Sequence, residues 1–525
     1  MKAVVGLDFG TQSARAILAD TETGRILLRR SVDYPHGVLP GCLADPADYE
    51  TALFDLLEAV FQSLYRDEVV GIGVDATSFS MVPLDASGRP LSTYDAFSGH
   101  PHALVKLWKR HTAQALAEEA LKAARDAGQP FLRRTGGSIS CEWALPKLLE
   151  IYDEAPEVWE HLDAALDLCD YLTYRLTGVF TRSKGSMSYK ALWWEDLGFP
   201  APSYLNALRP GLLDRYRSLF RGKVLASGGR AGFLQEEICR RFGVRSPVAV
   251  AAGVLDGHTA PVALGALQPG DATLVAGTSN VLAIQTDAPL EIDGICGVAR
   301  DGFSAGLYGI DSGQASTGDM LDWFVRRALP YEMREEARTR NVSPHALLCE
   351  RIRRPWQDRI IAVDWFNGSR NAPCDLSLPG AVVGLSLDTE PEDIYLGLMQ
   401  AIVCGSREIL ERCASCGVTV KRILATGGVA RKNPLLMQLY ADVLGRDVFS
   451  AEEEEGPALG SAIFAAVAAG VFPSAEDAYA HMGLRRFIRY SPDPDSRAGY
   501  ENVFQKNHRL RELLIQCETE GEKQP

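Results

Sequence analysis

One short pattern occurs twice in this chain, each time between two extended apolar runs. Near the start, Ala3 to Leu7 leads into Asp8-Phe9-Gly10-Thr11-Gln12-Ser13, and a second run, Ala14 to Ala19, follows. Far downstream, Asp271 to Ala276 leads into Gly277-Thr278-Ser279-Asn280, and Val281 to Ile284 follows. Each copy reads as a strand, a Gly-Thr turn and a returning strand. Glycine has no Cβ, so backbone N–H groups and the neighbouring hydroxyl can approach an anion closely. Two such hairpins facing one another would grip a polyphosphate from both sides. A carboxylate, Asp256, precedes the second copy in Gly253-Val-Leu-Asp256-Gly-His258-Thr259.

At 525 residues the chain is too long for one compact core, which predicts two lobes. Its net charge of -14 argues against a nucleic-acid surface, which needs a basic face, but not against a locally positive nucleotide site. No run approaches the roughly 20 apolar residues of a membrane span, and the chain opens directly in a core strand, so a cytoplasmic location is expected. The 11 cysteines are an odd number at irregular spacings and read as reduced thiols, including the close pair Cys413 and Cys416.

The order of elements repeats as the turn does. Three extended runs, Ala3 to Leu7, Ala14 to Ala19 and Arg25 to Val32, precede a helix capped by Asp45 and Pro46, with apolar residues at helical spacing to Tyr65. Val69 to Val74 reads as a buried parallel strand, and residues 102–174 as a largely helical insertion. After Asp271 the series restarts: the second hairpin, a strand over Ala305 to Ile310, helices over Gly318 to Arg327 and Ile394 to Cys413, and a buried strand Ile423 to Thr426. Helices over Asn433 to Leu444 and Ala458 to Val471 follow. The expected division is residues 1–250, 251–490 and a C-terminal helical tail, 491–525, whose polar end from Glu518 is expected to fray.

No Gly-x-x-x-x-Gly-Lys-Ser/Thr loop is present, so a P-loop is not expected. Gly71-Ile-Gly73-Val-Asp-Ala76 fits the looser dinucleotide pattern, but its glycines lie inside an apolar strand; the match reads as chance, and an oxidoreductase rests on nothing else. Asp8, at the end of a buried strand, is placed to hold a water-bound Mg²⁺ beside phosphates, and Arg15 could reach the same phosphates. Asp256 could orient an alcohol and take its proton, or serve as an Asx-turn or helix cap. His258 reads as a supporting group. Gly427-Gly428-Val-Ala-Arg-Lys-Asn433 joins a buried strand to a helix and would let a flat base or ribose lie on the backbone, with Asn433 available for polar contacts.

Together these segments resemble the FGGY carbohydrate kinases of the actin-like ATPase superfamily. The likeness rests on Gly6 to Thr11, Gly253 to Thr259, Ala276 to Ser279, Gly427 to Asn433, Gln438 to Asp442 and Ala458 to Ala462, and it covers nearly the whole chain. Within that family the ribulokinase branch is most similar, through Gly73 to Met81, His100 to His111, Gly136 to Trp143 and Asp364 to Arg370; Trp108-Lys-Arg-His111 also lacks the aspartate of the Trp-x-Asp-x-Arg segment of many polyol and xylulose kinases. The resemblance implies a two-lobed α/β fold of duplicated ribonuclease H-like domains around a cleft. It implies ATP- and Mg²⁺-dependent phosphorylation of a ketopentose, L-ribulose first, and leaves a homodimer open.

Carried over residue by residue, Asp256 is the base, and Asp8 and Asp256 hold Mg²⁺ through water. Thr11, Gly277 and Thr278 hold phosphates, and Gly318, Gly427, Gly428 and Asn433 surround the nucleotide. Ala103, Lys190 and Asp311 fall where the sugar is held, Asp311 standing where the resemblance leads one to expect a glutamate. A kinase for D-ribulose, ribitol or another sugar shares every phosphate contact. A non-catalytic actin-like sensor or filament protein shares the grip without the transfer.

Overall fold

Two seven-stranded sheets built to one plan face each other across a cleft. The structure is a computed structural model that describes residues 1–354, 356–453 and 455–521. The first sheet contains β1 (Ala3–Phe9), β2 (Ser13–Asp20), β3 (Ile26–Asp33), β4 (Val69–Ala76), β5 (Arg230–Phe233), β6 (Ala249–Ala251) and β7 (Val254–Leu255). Its order is β5-β6-β4-β1-β2-β3, with β7 also on β4. The second contains β8 (Asp271–Ala276), β9 (Asn280–Thr286), β10 (Gly297–Arg300), β11 (Tyr308–Gln314), β12 (Arg422–Thr426), β13 (Val448–Ala451) and β14 (Phe487–Tyr490), in the order β10-β11-β9-β8-β12-β13-β14.

In each sheet an antiparallel meander (β1-β2-β3, β8-β9-β11) is joined through its first strand to a parallel strand, β4 or β12. A second parallel strand, β6 or β13, and an antiparallel edge strand, β5 or β14, complete it. β1 and β4, buried nearly throughout, read as continuous apolar runs because both of their faces are covered.

The helix Pro46–Phe61 begins as its sequence predicts: Asp45 accepts from the Ala47 N–H at 2.9 Å, and Pro46 occupies the first turn. Around the insertion, the helices Gln114–Asp126, Ala144–Glu154, Pro202–Leu208 and Leu212–Leu219 enclose their own apolar cluster. The expected strand over 305–310 lies at Tyr308–Gln314, and the helix expected to Arg327 is α-helical over Gly318–Trp323 and continues as a π-turn over Phe324–Ala328. The boundary expected at residue 250 falls within the first sheet, because β6 and β7 both pair with β4. The terminal helix Arg497–Gly521 packs Val503 and Phe504 against Ile361 and Cys404; residues 522–525 of the stretch expected to fray lie outside the described residues.

The two sheets are joined by a shared layer. The helix Gly456–Ala468 follows β13 in the second lobe yet lies on β1 and β4 of the first, together with the helix Asp256–Leu264. Its backbone passes so close that a Cβ at Gly73 would sit 2.0 Å from the Ser461 carbonyl oxygen, and one at Gly6 1.8 Å from that of Ala458. The glycines within β4 are therefore there for helix packing, which accounts for the Gly71-x-Gly73 pattern without any dinucleotide.

Candidate active site

Both Gly-Thr turns open onto one cleft of about 460 Å³, lined by Asp8, Thr11, Arg15, Lys190, Asp256, Gly277, Thr278 and Asp311 among others. The hairpin geometry does this: Gly10 N–H bonds the Ser13 carbonyl at 3.0 Å and Gly277 N–H the Ser279 carbonyl at 3.0 Å, so each turn closes tightly at its strand end. Gly318 lies directly behind the second turn, its N–H donating to the Gly277 carbonyl at 3.1 Å. Gly427, at φ 104°, is pressed against the same strand end, where a Cβ would lie 2.4 Å from the Ala276 carbonyl oxygen. A Cβ at Gly428 would meet nothing within 4 Å, so open space adjoins the backbone at the strand-to-helix turn.

Asp256 sits in the first turn of the helix Asp256–Leu264, where its Oδ1 accepts from the Gly257 N–H at 2.7 Å. Burial, then the negative charge of Asp8, raises its carboxyl to about 7. A carboxylate poised near neutrality is suited to take a proton from an alcohol and give it up again.

Asp8 is 5% exposed and paired with Arg15 at 3.2 Å, yet burial dominates and holds its carboxyl above the ordinary value. Its register partner on β4 is Asp75, wholly buried, whose Oδ2 accepts from Ser461 Oγ at 2.6 Å. No donor reaches Asp75 Oδ1 among the described residues, and burial together with the Asp8 charge holds this group well above the carboxylate range. Of the two carboxyls, Asp75 is the one whose neutral form burial and the Asp8 charge favour more. Asp75 lies within the segment that resembles ribulokinases, but a lone strand aspartate gave no reason to single it out.

Elsewhere in the cleft, Lys190 Nζ stands 3.3 Å from Asp311 Oδ2, and His258 Nε2 3.6 Å from Asp311 Oδ1. Burial would raise Asp311, but Lys190 and His258 outweigh it and hold the carboxyl well below its usual range. Burial would likewise lower Lys190, and the Asp311 charge more than offsets it. His258 itself is wedged edge-on between the rings of Tyr189 and Phe303 at 4.9 and 4.6 Å, a supporting role as its sequence context suggests.

Five of the expected contacts, Ala103, Gly318, Gly427, Gly428 and Asn433, are not among the residues that line this cleft. Ala103 is wholly buried in the apolar cluster of the insertion and does not line the cleft. The Asn433 side chain caps the helix Pro434–Leu444, its Oδ1 accepting from the Leu436 N–H at 3.0 Å, and is 8% exposed. The cap of that helix orients the Asn433 side chain.

For Mg²⁺, the hard carboxylate oxygens of Asp8 and Asp256 fit an ion held through water while phosphates supply further oxygens. Among the described residues no group of three or more His, Cys, Asp or Glu side chains is arranged to hold a metal by itself. Among the same residues no helix is long and apolar enough to cross a membrane.

With this geometry in place, the chain belongs to the FGGY family of carbohydrate kinases: residues 3–193 match the N-terminal domain of that family and residues 272–469 its C-terminal domain. A ribulokinase from Halalkalibacterium halodurans is 36% identical over 526 residues, covering 96% of this chain and 93% of that protein. A ribulokinase from Geobacillus thermodenitrificans is 35% identical over 534 residues, covering 98% of this chain and 94% of its own. The crystal structure of a xylulose kinase from Lactobacillus acidophilus shares the fold, with a TM-score of 0.81 at 17% identity, over 98% of this chain and 99% of that one.

Proposed function

We propose that this carbohydrate kinase transfers the γ-phosphoryl group of ATP to the terminal hydroxyl of a ketopentose, L-ribulose first, with Asp256 as general base. The observation that carries the reading is the place of Asp256: a carboxyl raised to about 7, in a cleft whose other walls are two phosphate-sized turns. Gly257 N–H occupies Oδ1, so Oδ2 is the oxygen that accepts the hydroxyl proton. As the substrate oxygen bonds to the γ-phosphorus, the bond to the β-phosphate oxygen breaks, its electron pair leaves with ADP, and the proton rests on Asp256. The Thr11 and Thr278 hydroxyls, at the two turns, take up charge on the phosphates. Mg²⁺, held by Asp8 and Asp256 through water, would neutralise phosphate charge. Lys190 and Asp311 bracket the sugar, and the closed cleft keeps water from accepting the phosphoryl group.

The full-length likeness to two ribulokinases supports L-ribulose among the candidates. The unpaired state of the 11 cysteines supports a cytoplasmic location. The test is coupled ADP release with L-ribulose, D-ribulose, D-xylulose and ribitol, and with no sugar. L-ribulose is expected to give the highest kcat/KM and the sugar-free reaction almost none. Preference for another sugar would move the substrate assignment, and sugar-independent hydrolysis would overturn the kinase reading in favour of a nucleotide-gated sensor.

A further inference from the structure

Two segments resembling ribulokinases, Gly136 to Trp143 and Asp364 to Arg370, lie outside the two phosphate turns, yet each sends a charged residue into the same cleft. Glu142, from the insertion of the first lobe, and Arg370, from the second lobe, both line it. Arg370 Nη2 donates to Glu142 Oε1 at 3.0 Å, bridging the two lobes, and His111 Nε2 lies 3.0 Å from the same oxygen. Burial would raise the Glu142 carboxyl, but Arg370 and His111 bring it down to about 2, so it is an anion at any working pH. The guanidinium lies over the Trp108 ring at 5.2 Å, and Trp108 Nε1 in turn donates to Thr11 Oγ1 at 3.4 Å, in the first phosphate turn.

Arg370 has one buried donor left over. Its Nε has no hydrogen-bond partner among the described residues. An unpaired buried N–H costs free energy unless something fills it, and here it belongs to a side chain lining the substrate cleft. On the opposite wall both donors reach Glu142 Oε1, which leaves Oε2 to accept.

We infer that Arg370 and Glu142 form a hydroxyl-reading pair for the sugar. Arg370 Nε donates to one oxygen of the pentulose, and Glu142 Oε2 accepts from a neighbouring hydroxyl. The pair determines specificity and does not take part in the transfer itself. It rests on the reading that this cleft binds a ketopentose and adds which residues choose among ketopentoses. Because the bridge spans both lobes and leans on Trp108 and Thr11, a correctly hydroxylated sugar also completes the wall beside the first phosphate turn.

The test compares wild type, Arg370→Lys, Arg370→Gln and Glu142→Gln for kcat and KM toward L-ribulose and ATP, and for kcat/KM toward a deoxy-pentulose against L-ribulose. Losing a hydrogen bond to a charged group predicts a sugar KM raised roughly tenfold to a hundredfold in both arginine variants. Arg370→Lys should fail to restore it, because an ammonium lacks the fork. kcat and the ATP KM should stay within about threefold of wild type, consistent with a pair that acts in binding and not in transfer. The preference for L-ribulose over the deoxy sugar should shrink in the variants, which a merely structural role would not cause. Unaltered discrimination in variants that still turn over, or sugar and ATP KM values rising together, overturns the inference. Wild type without sugar-dependent turnover overturns the underlying kinase reading instead.

Discussion

The two Gly-Thr turns share a backbone and differ in what stands behind them. Asp8, two residues before Gly10, corresponds to Val275, two residues before Gly277. The first turn is held by charge and aromatic contacts: Asp8 to Arg15, the buried Asp75 beneath, Trp108 on Thr11, and Tyr34 OH on the Gly10 carbonyl at 3.1 Å. The second is held from behind by neutral groups: Asn280 Nδ2 donates to Tyr440 OH at 2.7 Å and to Gln314 Oε1 at 3.2 Å, while Ser406 Oγ donates to the same Gln314 oxygen at 2.6 Å. Gln314 Nε2 donates to Asp364, which is paired with Arg511 of the terminal helix. One duplicated hairpin has thus become the polarised half of the site, electrostatically coupled to Asp256, and the other a rigid cradle. Duplication supplies the grip, and the single unmatched carboxylate gives it a direction.

Removing that carboxylate should have the largest effect on the comparison. Asp8→Asn is expected to lower kcat about 10²-fold or more, as loss of a preorganised charge in a catalytic site does. It should also move the acid limb of the pH profile. Asp256 works as the carboxylate, so wild-type kcat/KM should fall as pH drops below about 7. The Asp8 charge contributes to that elevated value, so in Asp8→Asn the limb should shift to lower pH. A limb that stays in place would separate Asp8 from Asp256. Stability has the opposite sign: the folded state keeps a proton on Asp256 that the unfolded chain releases near the ordinary carboxyl value of 3.8, so this group's contribution weakens as pH rises from there toward about 7.

The cradle should break differently. Arg511→Met leaves Asp364 buried without its cation and is expected to cost about 3 kcal/mol or more in unfolding free energy, read by denaturant titration. The pH limb should not move, because this network does not reach Asp256. A shifted limb would mean that the second turn also tunes the base. The smallest effect is expected from Thr11→Val and Thr278→Val, each deleting one neutral hydroxyl. Each should raise the ATP KM by roughly threefold to tenfold, and equal effects would mean that the two grips bear on phosphate alike.

Much of this was legible in sequence because it is local. A glycine followed by threonine at the end of an apolar strand is a hairpin wherever it occurs, so the turns, the meanders and the cap at Asp45 followed from their own neighbours. The rest depends on residues hundreds of positions away. Gly73 makes sense only once the Ser461 backbone is seen to pass over it, and Asp75 only once Asp8 and Ser461 are its neighbours. Asn433 and Ala103 are the reverse case: the resemblance assigned them to ligands, and the structure adds that one side chain caps a helix and the other lies in an apolar core. Glu142 and Arg370 could be seen as parts of characteristic segments, but their pairing across the cleft could not.

The central claim is that Asp256 turns a two-sided grip into a phosphoryl transfer. The most direct measurement is single-turnover phosphorylation of L-ribulose by wild type and Asp256→Asn, with the ATP dissociation constant measured on the same preparations. The account predicts a transfer rate lowered by about 10²–10⁴-fold, with ATP binding within about threefold of wild type. An Asn variant that keeps most of its transfer rate would contradict it.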